Sequence, residues 1–110
     1  MERAVLVYTT WPSTDEAEAV GRTIVEQRLA ACVNILPGMI SHYAWEGKVE
    51  RAEETVMLIK TRASLAERVA ALVKQLHSYT TPAIMVLPVE SAEPAYHAWI
   101  VQETNGRKNE

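Results

Sequence analysis

Residues 31–61 read ACVNILPGMISHYAWEGKVERAEETVMLIKT. Two extended runs, 31–45 and 49–61, flank a Gly-containing turn at Glu46-Gly47-Lys48, the pattern of a β-hairpin. Pro37-Gly38 interrupts the first run and predicts a bulge or sharp bend near a sheet edge. Paired throughout, the hairpin would reach about 45 Å at roughly 3.3 Å per residue. A compact domain of this length has a radius of gyration near about 13 Å. The far end, with Tyr43 and Trp45, is therefore expected to overhang the core.

The flanks decide how the hairpin is used. AVLVYTT (4–10) is a short β-branched strand that ends at the break Trp11-Pro12. In STDEAEAVGRTIVEQRLA (13–30), Ser13 and Glu16 have capping-box spacing, and Ala17, Val20, Ile24 and Val25 recur at helical period. Ser64 and Glu67 repeat the capping-box pattern before a stripe of Leu65, Val69, Leu72, Val73 and Leu76. HSYTTP (77–82) reads as a loop. AIMVLPV (83–89) reads as an edge strand, since Pro88 cannot donate to a neighbour. Pro94 suits the first turn of a short last helix with Tyr96, Trp99 and Ile100 on one side. NGRKNE (105–110) is a polar tail expected to fray.

The order is β-α-β-β-α-β plus a C-terminal helix. It predicts an α+β, ferredoxin-like split βαβ fold with a four-stranded antiparallel sheet. Right-handed crossovers place both main helices on one face. A chain of 110 residues with 48% apolar content reads as one globular domain, 1–110.

Net charge is −3, which gives no electrostatic footprint for nucleic acid. The single cysteine, Cys32, allows no internal disulfide and agrees with a reducing compartment. No signal-peptide core or membrane-length apolar run appears. A cytoplasmic protein without membrane or nucleic-acid partners is expected.

The strands are apolar on both faces. Val5 and Val7 oppose Leu6 and Tyr8; Val56 and Leu58 oppose Met57 and Ile59; Ile84 and Val86 oppose Met85 and Leu87. A sheet with helices on one side should be polar on the other. One chain has no further element to cover that second face, so identical copies are expected to cover it and the aromatic hairpin tip.

RLAACVNILPG, SHYAWEGK, MLIKT, HSYTTPAIMVLPV and YHAWI, taken in order, resemble the successive signatures of the CutA divalent-cation-tolerance proteins, over about residues 4–102. The resemblance implies a tightly packed homotrimer similar in architecture to the PII signal proteins. It also implies an association with tolerance of copper and other divalent cations, with copper or another divalent cation as the candidate bound ion. Among relatives the loop after the second helix commonly carries a proline after the histidine and glutamates after the tyrosine and after the next proline; here Ser78, Thr80 and Ala83 stand at those positions, so two potential carboxylate ligands are missing, and Ala92 stands where a glycine is usual.

Candidate functional residues follow. Tyr43, Trp45, Lys60, His77, Tyr79 and Trp99 could line an inter-subunit cleft, where aromatic walls with a few polar groups suit a small ligand. His77 and Cys32 are the candidate metal ligands, as imidazole and thiolate; the alternatives are a helix-terminal histidine and a small buried hydrophobe. Lys60 interrupts an apolar strand and needs a carboxylate, a ligand anion or a strand-end partner. His42 and His97 are expected at the surface or an interface. No G-x-S-x-G, P-loop, H-E-x-x-H or paired-carboxylate motif supports an enzyme built on Lys60, His77 or Tyr79. An RNA-recognition domain would need basic charge and strand aromatics that VMLIK lacks. A non-enzymatic cation-tolerance trimer is the expected function, and a PII-like signalling or structural scaffold without intrinsic metal binding is its rival.

Overall fold

The computed structural model describes residues 2–105. The elements are β1 (Ala4–Trp11), α1 (Thr14–Glu26), β2 (Cys32–Trp45), β3 (Lys48–Arg62), a single 3-10 turn (Ala63–Leu65), α2 (Ala66–Leu76), β4 (Ile84–Pro88) and α3 (Pro94–Glu103). The sheet is antiparallel in the order β2-β3-β1-β4, the expected split βαβ arrangement. Of the tail expected to fray, all but Asn105 lies outside the described residues.

Strand alternation sorts the sheet into two faces. Val7, Trp11, Met57 and Ile59 point to the helix side and join Ala17, Val20 and Ile24 of α1 and Val69 and Val73 of α2 in one core. Gly21 lets α1 settle close to the sheet, because a Cβ there would lie 2.8 Å from Met57 Sδ and 3.0 Å from Val33 Cγ2. Trp11 is not only a break. It closes β1, is fully buried, and donates its indole N–H to Thr9 Oγ1 at 2.7 Å.

The helix ends show how local signals were answered. Ser13 accepts from the Glu16 N–H at 3.2 Å, so the first half of the capping box forms. The Glu16 carboxylate does not reach back; it accepts from the Ser78 N–H at 2.9 Å. The helix stops at Glu26 rather than 30 because Arg28 adopts φ 59° and the Leu29 and Arg28 N–H groups bond Ile24 O and Val25 O, a Schellman closure. The second capping box is corrected: Ser64 lies in the 3-10 turn, and no side chain caps α2 from within. Instead the Ser64 N–H is bound by the carboxylate of Glu2, which Ser64 and Arg62 hold below its usual pKa.

The hairpin behaves as its length demands. β1 runs along β3 only from Arg62 back to Thr55. Below Thr55, β3 has β2 as its sole neighbour among the described residues, and the register shift between Leu36 and Met39 falls where the ribbon leaves the sheet. Gly38 takes φ 82° at this bulge. The tip is a two-residue turn with φ 49° at Glu46 and 81° at Gly47, the positive pair a type I′ turn requires. The molecule measures 49 × 28 × 20 Å with a radius of gyration of 14.9 Å, above the roughly 13 Å of a compact chain this long.

The second face is covered at one end only, which corrects the expectation that the chain has nothing to place there. α3, started by Pro94 and by Glu93 accepting from the Tyr96 N–H, sets Tyr96 against Lys60. Elsewhere that face stays open: Leu36 is 50% exposed and Met85 60%. No helix of the described residues is long and apolar enough to cross a membrane.

Candidate functional site

Trp11, at the end of β1, and His77, at the C-cap of α2, stack with ring centroids 4.1 Å apart. Thr10 O lies 2.7 Å from His77 Nε2 and can only accept, so Nε2 carries the proton. Nδ1 accepts from the Tyr79 N–H at 3.0 Å. The ring is thus a buried neutral imidazole with both nitrogens used inside the chain. Its neighbour Glu16 Oε2, 3.8 Å from Nδ1, is engaged by Ser78 instead. His77 fixes the path of the loop that follows α2; neither nitrogen is directed at a cation in this arrangement.

That loop presents Tyr79, whose ring lies 4.9 Å from His77. Tyr79 faces the open-face side of the ribbon. Alternation beyond the bulge puts Met39, Ser41, Tyr43 and Trp45 of β2 on that side, paired with Glu54, Ala52, Glu50 and Lys48 of β3. Between loop and ribbon lies a cleft of about 540 Å³, lined by Thr10, Tyr43, Trp45, Ala52, Glu54, Tyr79, Thr81 and Ala83. Glu54 accepts from Ser41 Oγ at 2.9 Å. Burial raises the Tyr79 phenol above its ordinary pKa, and the negative charge of Glu54 adds to the effect.

The remaining candidates lie at the other end of the sheet. Lys60 Nζ is 3.0 Å from Tyr96 Oη and 5.4 Å from its ring centroid. Trp99 stacks on Tyr96 at 5.5 Å. Cys32 is half-buried directly across from Lys60. The bond to Tyr96 holds the Lys60 pKa above its ordinary value despite burial, and Cys32 contributes in the same direction. Lys60 therefore finds a hydroxyl and a ring face, not a carboxylate.

Within one chain the structure brings Tyr43, Trp45 and Tyr79 together, sets His77 beneath them, and separates them from Lys60 and Trp99. His42 is exposed on the ribbon, and His97 Nε2 contacts Glu2 O at 2.6 Å. Among the described residues no group of three or more His, Cys, Asp or Glu side chains is placed to hold a metal ion. Sequence reading missed Trp11, Glu16 and Glu54. Glu16 was hidden by its capping-box spacing. Glu54 sits in the polar first half of β3, and its alternation with Val56 and Leu58 was the available signal.

Comparison with known proteins places these features in a family. Residues 5–103 match the model of the CutA1 divalent ion tolerance protein. The divalent-cation tolerance protein CutA of Archaeoglobus fulgidus is 45% identical over 94 residues, covering 86% of this chain and 91% of that protein. Protein CutA of mouse is 39% identical over 102 residues; the match takes in 93% of this chain but only 58% of the mouse protein. The crystal structure of CutA from Xylella fastidiosa superposes with a TM-score of 0.90 at 37% identity, covering 94% of this chain and 99% of that one.

Proposed function

Because the chain belongs to the CutA1 divalent ion tolerance family, we propose that it works as a non-catalytic homotrimer contributing to divalent-cation tolerance in the cytoplasm, with small-ligand or metal sites at or beside subunit boundaries. The observation that carries this reading is the family match over residues 5–103. The need for partners is supported independently by the unfinished half of the molecule. An overhanging ribbon and a sheet face with Leu36, Met85 and Leu87 exposed form a surface that identical copies would bury.

One observation favours the second reading, a PII-like scaffold with no intrinsic metal binding. Both His77 nitrogens are occupied, and no three-ligand cluster exists among the described residues of one chain. Among the described residues, an ion with three or more His, Cys, Asp or Glu ligands would need them from more than one copy.

Sedimentation equilibrium and calorimetric titration with Cu(II) and Zn(II) test both. Three chains per particle and a dissociation constant below about 10 μM, weakened in Cys32→Ser or His77→Ala, support the metal-binding reading. Three chains without such binding select the scaffold. A 12.3 kDa species at micromolar concentration overturns the assembly.

A further inference from the structure

We propose that Glu2, in the segment before β1, is a latch that closes α3 over one end of the open sheet face, and that releasing it lets α3 open as a unit while the sheet, α1 and α2 stay folded. The latch rests on neither the trimer nor a metal. It needs no free surface, because every bond in it is made within one chain, at the end of the sheet opposite the ribbon.

Two ties run from Glu2 to α3. The first is through its main chain. His97 of α3 sets Nε2 2.6 Å from Glu2 O, which can only accept, so the ring donates. The second is through its carboxylate, which accepts from Arg62 Nη1 at 3.2 Å while Arg62 Nη2 donates to Thr104 O, at the C-cap of α3, at 2.8 Å. The other carboxylate oxygen is held by the Ser64 N–H of the 3-10 turn. Among the described residues the Arg62 guanidinium has Glu2 and Thr104 as its partners, and its buried Nε has none. Without the carboxylate, the guanidinium fork that reaches Thr104 loses the group that orients it.

The inner side of α3 makes its hold depend on these ties. Between the helix and the sheet lies a hollow of about 210 Å³, bordered by Leu6, Lys60, Val89, Tyr96 and Ile100. A helix laid over a gap forfeits dispersion contacts that a helix seated in a core keeps. Ile100 is the one fully buried residue of α3, whereas α1 buries Ala17, Val20, Gly21 and Ile24 and α2 buries Ala66, Val69 and Val73 on the opposite face. Segments that bury few apolar groups open locally at lower free energy than the core. Two bonds hold α3 apart from the latch, Arg28 Nη1 to Glu103 O at 3.2 Å and Lys60 Nζ to Tyr96 Oη at 3.0 Å.

The latch has one group that titrates it. The carboxylate faces Arg62 of β3, with Arg3 next to it in the chain and His97 of α3 on its carbonyl. Both arginines keep their charge, and His97 donates from Nε2 in either charge state. The bonds from Ser64 and then Arg62 hold the Glu2 carboxyl below 4.5, against the opposing effect of burial. The folded value is thus the lower one, so the latch is fully closed above 4.5 and is lost as pH falls through the folded value.

Hydrogen exchange of the intact protein tests the proposal, in wild type, Glu2→Ala and Glu2→Gln, at a concentration where all three sediment as the same particle. The Glu2 side chain is 28% exposed, so neither substitution disturbs the core. At neutral pH, amides 98–104 of α3 should lose at least about tenfold of their protection in Glu2→Ala, while those of β1 and β3 change by less than about twofold. In the wild type, protection of α3 relative to β1 should fall as pH drops below 4.5, and Glu2→Gln should remove that dependence. Unchanged protection of α3 in Glu2→Ala overturns the proposal, and would mean that the other bonds or a neighbouring copy hold the helix. An equal loss across α3, β1 and β3 overturns it too, since Glu2 would then brace the whole fold. So does an acid-side loss of α3 protection that persists in Glu2→Gln.

Discussion

The body of the sheet and the ribbon that leaves it are built from the same two strands, yet they solve opposite problems. In the body, β3 has a neighbour on each side and helices above. Met57, Ile59 and Thr61 are fully buried there. Past Thr55 the strand keeps one neighbour and no covering helix among the described residues, and Val49 is 77% exposed. The switch occurs within a few residues, at the Pro37-Gly38 bulge. It teaches that burial in this chain follows where β1 ends: β3 stays extended through the charged stretch VERAEE (49–54) as it does through TVMLIK (55–60), but only the second has β1 beside it.

The largest expected effect breaks the body. Trp11→Ala removes a fully buried indole and the ring on which His77 stacks. It should cost about 3–5 kcal/mol in denaturant unfolding. A cost under about 1 kcal/mol would mean that the body is not the stable half.

The ribbon should respond differently. Trp45→Ala leaves every buried residue of the body in place, so single-chain secondary structure should persist. Assembly should weaken by about 1.5–3 kcal/mol, or roughly ten- to a hundredfold in dissociation constant, read by sedimentation on dilution. Unchanged association with a destabilised fold would reverse the assignment of the two regions.

How much of this contrast could be read from the residues follows the same divide. Strand alternation, the Ser13 cap, the Pro37-Gly38 bulge and the Glu46-Gly47 turn are local signals, and each appears where the sequence puts it. What escaped was decided across the chain. Glu16 has the spacing to cap its own helix but bonds Ser78, 62 residues on. Ser64 has the capping spacing too, yet its N–H is taken by Glu2 from the N-terminus. Lys60 and Trp99 are expected with Tyr43 and Trp45 in a cleft between subunits; within one chain the register places the two pairs at opposite ends of the sheet. Glu54 lies in the polar half of β3, and alternation past the bulge turns it into the cleft. Periodicity reports which face a residue takes, but not which distant group will meet it there.

The loop joining the two regions gives a smaller, sharper test. His77→Phe keeps an aromatic ring against Trp11 while leaving Thr10 O and the Tyr79 N–H without partners. A loss of about 1–3 kcal/mol is expected, together with weaker protection of the loop in hydrogen exchange. Unchanged stability would show that the stack alone holds the loop, and that the two hydrogen bonds do not tie it to β1.

The smallest effect lies on the alkaline side, and it probes both ends of the sheet at once. Tyr79, beside the ribbon, has its pKa raised from 10.0 by burial first and by the Glu54 charge next. Lys60, at the α3 end, has its pKa raised from 10.5 by the Tyr96 hydroxyl. For both groups the folded chain holds the proton more tightly than the unfolded one. Their contribution is therefore complete below the unfolded values and falls away as pH rises through the folded values. Unfolding free energy should decline once pH passes 10.0 for the Tyr79 part and 10.5 for the Lys60 part. Tyr79→Phe should flatten the first part and Tyr96→Phe the second, each by less than the His77 effect because both groups remain partly exposed to screening solvent. If Tyr79→Phe leaves the alkaline limb superimposed on that of the wild type, Glu54 does not act on that phenol, and the ribbon and the loop do not share the electrostatic environment that the cleft requires.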